Sequence, residues 1–386
     1  MPSASSATEP SVNAKRKGPS HRAVLKFRGM RARHVTVGLF LLSVLALFAA
    51  IEGTTSTALF LKRFLTNPVT PNPQAVAPTS AYLQADPLLG WVNRPNVALE
   101  NASGAGRWLH HNAQGYRDTQ DTPPDLQPGE VRVVCSGDSF TFGFGVSDDE
   151  TWCHQLEKLG HWNTVNMGLN GYGLDQIFLR YRRDSPKIAH QIHILGFIYD
   201  DIDRMRSQIS FFKASKPVLE STPQGLRVVN DPVRDDWKMA PWIFSRQTEI
   251  QQLKTVELMQ KLLPQPAGPH VLTDAQIRQN TLAIFDELAA LSKNSNHSLL
   301  VVQIPTLRDF ADADRNAREK ELGADLDRRG IARLDLIDKM KEIPLRDLTQ
   351  YFIPGDYHYT AAGNRLLAHY IYPAAAAQLK RNHGLQ

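Results

Sequence analysis

Five short apolar runs, Val131 to Cys135, Thr164 to Met167, Ile192 to Phe197, Leu299 to Ile304 and Ala332 to Leu336, alternate with stretches of helical spacing. No other feature restricts the fold as much. Parallel neighbours need a crossover between them, and crossover helices must bury an apolar stripe, so the alternation predicts a parallel sheet covered on both faces. The clearest helix runs from about Asp274 to Ser292, where Ile277, Ile284, Phe285, Leu288 and Leu291 share a face and Thr273 or Asp274 can cap the start. In such a sheet, chemistry gathers beyond the carboxyl ends of the strands.

The first run stops abruptly in the small, turn-forming residues Ser136-Gly137-Asp138-Ser139, and helical spacing resumes from Glu150 to Gly160 with Trp152, Leu156 and Leu159 on one face. Ser139 therefore stands in a strand-to-helix transition, where backbone N–H groups can face an incoming oxyanion. A serine hydroxyl is a poor nucleophile at neutral pH and needs a base, which in turn needs an orienting partner. His358 is the candidate base and Asp356 its partner. Both follow the last strand, so an open parallel sheet would bring them to the edge that carries Ser139.

Four blocks carry a resemblance. They are Gly137-Asp138-Ser139-Phe140, Asn166-Met-Gly-Leu-Asn170-Gly171-Tyr-Gly after the second strand, Gly196-Phe-Ile-Tyr-Asp200-Asp201 after the third, and Asp356-Tyr-His358-Tyr-Thr-Ala-Ala-Gly363-Asn near the end. In this order they resemble the SGNH/GDSL hydrolase family, here a membrane-anchored, extracytoplasmic member. The resemblance spans roughly Asp86 to the C-terminus and implies a flavodoxin-like, three-layer α/β/α domain with a five-stranded parallel sheet. It also implies an acyl-serine on Ser139, with oxyanion donors from the backbone of Ser139, the backbone of Gly171 and a side-chain amide in the third block. The chain departs from the family in two places. Asp200 stands where the amide-bearing Asn is expected, and one residue, not two, separates Asp356 from His358. An ionised carboxylate only accepts hydrogen bonds. Three outcomes stay open: a protonated Asp200, a substitute donor such as Asn170, or a weak or inactive hydrolase.

Charge is unevenly placed. Residues 1–34 carry eight Lys/Arg against Glu9 alone, a net +7 in a chain whose total is +5, which leaves the remainder at −2. A slightly acidic globular part has no electrostatic footprint for nucleic acid. The basic tail runs into an uncharged apolar stretch, residues 35–51, at the short end of what crosses a bilayer. The expectation is a cytoplasmic tail (1–34), an inner-membrane signal-anchor (35–52), a Pro-rich linker (53–85) and a periplasmic or extracytoplasmic hydrolase domain (86–386) with an insertion at about 204–272. A cleaved signal peptide is the competing reading, with Ser56-Thr-Ala58 the fitting cleavage site.

Cys135 and Cys153 are the only cysteines, and no metal or cofactor motif occurs, so none is expected. The two either form a disulfide, as an oxidising compartment allows, or are a pair of small buried hydrophobes. In the insertion, Lys216 to Glu220 and Leu226 to Asn230 read as a hairpin and Ile250 to Leu263 as a helix, either a rim on the cleft or a surface subdomain. His110 and His111 read as surface or satisfied histidines. The predicted activity is hydrolysis of a short-chain, acetyl-type O-acyl ester on an envelope glycan or a small lipid ester. The alternatives are acyl transfer to a surface polysaccharide and a catalytically impaired envelope binding protein.

Overall fold

The computed structural model describes residues 35–47, 49–50, 53–54, 56–57, 79–210, 214–233, 271–310 and 313–384. The chain divides into two compact units, Met1–Pro68 with Glu249–Leu258, and Val69–Thr248 with Met259–Gln386. In the first unit residues 35–47 are helical with exposed side chains; among the described residues no helix is long and apolar enough to cross a membrane. The basic tail, most of the linker and the helix expected over Ile250 to Leu263 lie outside the described residues.

The second unit is built on five parallel strands. In chain order its elements are β1 (Arg132–Gly137), α1 (Ser139–Phe142), α2 (Trp152–Gly160), β2 (Asn163–Asn166), α3 (Leu174–Asp184), β3 (Ile192–Phe197), α4 (Tyr199–Asp203), α5 (Asp274–Asn294), β4 (Ser298–Gln303), α6 (Ala313–Arg328), β5 (Arg333–Asp335) and α7 (Ala361–His383). The strands lie in the order β5-β4-β3-β1-β2, all pairs parallel. From β1 the chain first moves to β2, then returns across to β3. The crevice at that reversal, beyond the carboxyl ends of β1 and β3, is where an open α/β sheet takes its ligand.

Side-chain alternation divides the core into two layers. Val133, Cys135, Ile192, Ile194, Leu300 and Val302 pack on one face with Trp152 and Leu156 of α2 and Leu367 and Ile371 of α7. Val134, Leu195, Phe197, Leu299 and Val301 pack on the other with Ile177 and Phe178 of α3 and Phe285 and Leu288 of α5. Truncating a buried anchor such as Phe285 to Ala costs about 3–5 kcal/mol by this kind of burial. The capping of α5 is as the sequence suggests: Thr273 accepts from the Gln276 N–H, and the Gln276 side chain accepts from the Thr273 N–H.

Four of the five strands shift by one or two residues from expectation, and at two ends the cause is visible. β1 continues through Ser136 and Gly137, which pair with Leu195 and Gly196, because small residues fit where the chain folds back. A Cβ on Gly137 would lie 2.3 Å from the Gly196 carbonyl oxygen. At the sheet edge β5 stops at Asp335, whose carboxylate accepts from the Ile337 N–H and starts a helix at Leu336. Upstream, folded structure takes in more than the stretch from Asp86: Leu83–Asp86 pairs with Gly90–Asn93, and Tyr82, Leu83 and Trp91 are buried in the core. Cys135 and Cys153 are bonded, tying β1 to α2. The expected hairpin forms as Leu219–Thr222 against Gly225–Val228 and is held to α5, with Asn280 Nδ2 donating to the Leu219 carbonyl at 2.7 Å.

Candidate active site

Ser139 opens α1 immediately after β1. Asp138 caps that turn, its buried carboxylate accepting the Phe140 N–H at 2.9 Å, and Gly143 closes it in the left-handed region (φ 81°) with its N–H on the Ser139 carbonyl. Four residues thus reverse the chain and leave the serine at the sheet edge. Around the turn, Arg117 donates to the carbonyls of Phe142, Gly143 and Val146 at 2.5–2.6 Å and to Asp148 at 2.8 Å. Asn166 Nδ2 donates to the Thr141 carbonyl at 2.9 Å. Arg117 is almost fully buried, so each of these bonds forms where water does not compete.

The base comes from the far end of the chain. His358 Nε2 lies 2.8 Å from the Ser139 hydroxyl and its Nδ1 lies 2.5 Å from Asp356 Oδ1. Asp356 Oδ1 also accepts the backbone N–H of His358 at 2.9 Å. This accounts for the one-residue gap: an aspartate bonding the N–H two positions on is an Asx turn, which here delivers the carboxylate to the ring of the same residue. Burial by itself would raise the Asp356 carboxyl, but the hydrogen bonds and charge of His358 outweigh it and hold it below the ordinary range. The imidazole sits between Phe140 and Phe144, with centroids at 4.8 and 4.7 Å. These rings fix its orientation, and the carboxylate fixes its tautomer.

Ser139 and His358 open into a cleft of about 730 Å³ that Gly171 and Asp200 also line. Gly171 has φ 78°, a conformation that disfavours any side chain. Asn170 is turned away: its Nδ2 donates to the buried Tyr82 hydroxyl at 2.9 Å, and it does not line the cleft. Its amide is therefore spent on the core rather than substituting for the expected donor. Of the expected oxyanion positions, Ser139 and Gly171 reach the cleft, and Asp200 brings a carboxyl in place of an amide.

Beneath this layer lies an acid pair that the sequence did not reveal. Asp138 Oδ2 is 3.3 Å from the Ser139 hydroxyl and accepts from Arg204 at 3.0 Å, while Arg204 also donates to Asp201 at 2.6 Å and to the Tyr172 carbonyl at 2.9 Å. Burial, then the adjacent Asp138 charge, pushes the Asp201 carboxyl well above the ordinary range, against the pull of Arg204. The only sequence cue was Arg204 one helical turn after Asp200 and Asp201.

Neither histidine of the lead-in lines the cleft. His110 stacks on Trp108 and bonds Asp148 at 2.6 Å, and buried His111 bonds the Arg94 carbonyl through Nδ1 at 3.1 Å while its Nε2 has no hydrogen-bond partner among the described residues. Among the described residues no group of three or more His, Cys, Asp or Glu could hold a metal ion.

No protein-family model matches the chain, and no curated protein does. Solved structures do match. One is a member of the lipolytic protein G-D-S-L family from Veillonella parvula DSM 2008, 14% identical, covering 63% of this chain and 97% of that one with TM-score 0.36. A second is the lipase/acylhydrolase from Enterococcus faecalis, 12% identical, covering 63% and 94% with TM-score 0.38. A third is an acetyl xylan esterase from Geobacillus stearothermophilus, 12% identical, covering 64% and 94% with TM-score 0.38.

Proposed function

We propose that this chain is a serine ester hydrolase of the SGNH/GDSL type, acting through an acyl-serine on Ser139. One observation carries the reading: an unbroken Ser139, His358 and Asp356 relay, at 2.8 and 2.5 Å, opens into a cleft of about 730 Å³. That volume is of the size that takes a small ligand. His358 Nε2 takes the hydroxyl proton as Ser139 Oγ attacks the ester carbonyl. The new imidazolium is stabilised by Asp356, which stays ionised. The carbonyl oxygen becomes an oxyanion on the Ser139 and Gly171 side of the cleft. His358 then gives its proton to the departing alcohol, and water repeats the cycle to release the acid.

The substrate is a short-chain, acetyl-type ester on an envelope glycan or a small lipid ester. Support comes from the cleft wall, where Asp203, Ser207, Ser210 and Thr306 can bond a hydroxylated ligand beside an apolar surface from Phe140, Ile198, Ile209 and Tyr357 that can take the acyl group. Incubation of the full-length protein with p-nitrophenyl acetate and a fluorophosphonate probe tests the reading. Turnover and labelling that both vanish in Ser139→Ala are expected. Labelling that persists in that variant overturns the nucleophile, no labelling of wild type assigns a binding role, and turnover only with an added sugar acceptor assigns acyl transfer.

The chain is anchored once in the inner membrane, with its N-terminus cytoplasmic and its hydrolase domain outside. The basic residues before the uncharged stretch support this orientation, and the bond between Cys135 and Cys153 suits an oxidising compartment. Protease added to spheroplasts should remove the hydrolase domain while leaving cytoplasmic markers intact. Survival of the domain until the cells are lysed would place it on the other side.

A further inference from the structure

Four cationic side chains line the cleft, Arg204, Arg206, Lys216 and Arg308. Three are matched to carboxylates. Arg204 holds Asp138 and Asp201, Arg206 holds Asp274 at 2.5 Å, and buried Lys216 holds Asp175 at 2.5 Å. Arg308 is different. Among the described residues its partner is Tyr357, with the guanidinium 5.0 Å from the ring centroid and Nη2 3.4 Å from the hydroxyl. Both side chains are exposed, and Tyr357 is the residue between Asp356 and His358.

The placement of Arg308 is built rather than incidental. It sits on the short turn Leu307–Phe310 just beyond β4, and the buried Asp309 carboxylate locks that turn by accepting the Thr306 N–H at 2.6 Å and the Thr306 hydroxyl at 3.0 Å. Tyr359, in the loop of the relay, donates from its buried hydroxyl to the Pro305 carbonyl at 2.6 Å. The turn that carries Arg308 is thereby tied to the loop that carries His358. The spacing of these two backbone segments is set by buried hydrogen bonds, not by a free loop.

We infer that Arg308, laid over Tyr357, is an anion subsite of the cleft, and that the ester cleaved at Ser139 carries a carboxylate within a few bonds of the scissile group. Beyond the long contact of Nη2 with the Tyr357 hydroxyl, the guanidinium has further N–H donors to offer an oxyanion, and its planar geometry matches a carboxylate in two-point contact. The exposed Tyr357 ring gives an apolar face against which a sugar or short acyl chain can lie. The inference rests on the esterase reading above and narrows its substrate class. The carboxylate can belong to the alcohol side, as in an O-acetylated acidic sugar, or to the acyl side, as in a dicarboxylic hemiester.

Initial rates on four esters decide the matter. They are p-nitrophenyl acetate, p-nitrophenyl hemisuccinate, O-acetylated glucose and O-acetylated glucuronic acid. Wild type should prefer the anionic member of at least one matched pair by about 10- to 100-fold in kcat/KM, the range that a charged hydrogen bond is worth. The preferred pair reports which side of the ester bears the charge. In Arg308→Gln the preference should vanish, chiefly through KM, while the rate on p-nitrophenyl acetate stays within about threefold. Arg308→Lys should keep part of it, as a point charge without the fork does. Wild type that treats both pairs alike, or Arg308→Gln that retains the preference, overturns the subsite. Wild type that cleaves none of the four overturns the esterase reading and the subsite with it.

Discussion

Ser136 and Ser139 stand three residues apart, and each hydroxyl bonds the Nε2 of a histidine. At Ser139 the partner is His358 at 2.8 Å, with a carboxylate on its other nitrogen and an open cleft above. At Ser136 the partner is His193 at 2.6 Å, fully buried, with the Tyr181 ring stacked on it at 3.5 Å and its Nδ1 without a hydrogen-bond partner. Tyr181 in turn bonds His190 and His297, both at 2.8 Å. A serine–imidazole contact is thus no sign of chemistry by itself. The difference lies in what meets the second ring nitrogen and in whether a carbonyl carbon can approach the hydroxyl. Asp356 stabilises a charged ring, whereas the burial around His193 pushes its pKa well below the usual imidazole range and keeps it neutral.

The largest effect should separate the two serines outright. Ser139→Ala is expected to lose on the order of 10⁴-fold or more in kcat and all probe labelling, while Ser136→Ala keeps both within about threefold. Ser136→Ala should instead cost about 1–3 kcal/mol in a denaturant titration, because it leaves a buried ring nitrogen unpaired. Equal loss of labelling in the two variants would erase the distinction. Next, Asp356→Asn should lower kcat by roughly 10³- to 10⁴-fold with little change in melting temperature, since an amide can still close the turn but favours the wrong tautomer. A drop below tenfold would make Asp356 a structural cap only.

Acid should act on the buried cluster. His190, His193 and His297 are all held below the ordinary imidazole pKa, first by burial, His297 down to about 3. Their unfolded values lie near 6.5, so the unfolded chain takes up protons first as pH falls. Their contribution is whole above about pH 6.5 and is lost as pH falls below it, for His297 toward about pH 3 and at about 1.4 kcal/mol per pH unit. Melts between pH 7.5 and 4.5 should show a shallower pH dependence in His297→Gln than in wild type. Identical slopes would remove His297 from the account. Smallest of all, Asp200→Asn should hold activity within a few-fold of wild type or raise it, by returning an amide to the cleft. A large loss would show that the carboxylate itself works in the reaction.

The strands and the turn at Ser139 were legible because each announces itself locally: β-branched runs give the sheet, and small residues at a strand end give the turn. The last block could be matched by pattern even though its spacing differs from the family's. What stayed hidden depends on contacts between distant segments. The Asn170 amide is drawn away by Tyr82, 88 residues earlier, and the loop holding it is buttressed by Trp91, whose Nε1 donates to the Asn170 carbonyl at 3.0 Å. No spacing rule points to Arg117 as the clamp on the nucleophile turn, since its reach depends on how the lead-in packs. The insertion was open between a lid or rim and a surface subdomain, and its described residues divide between two places. Ser207, Ile209, Ser210 and Lys216 line the cleft, whereas the hairpin that follows packs on α5.

Ser139 and His358 are 219 residues apart in the chain, and the segment bearing the imidazole is fastened by what comes after it. Asn364, early in α7, accepts the Trp152 N–H at 3.0 Å and so joins the start of α7 to the start of α2. Competence is therefore late. A polypeptide cut short before that junction would leave the Ser139 hydroxyl without the His358 ring that bonds it at 2.8 Å.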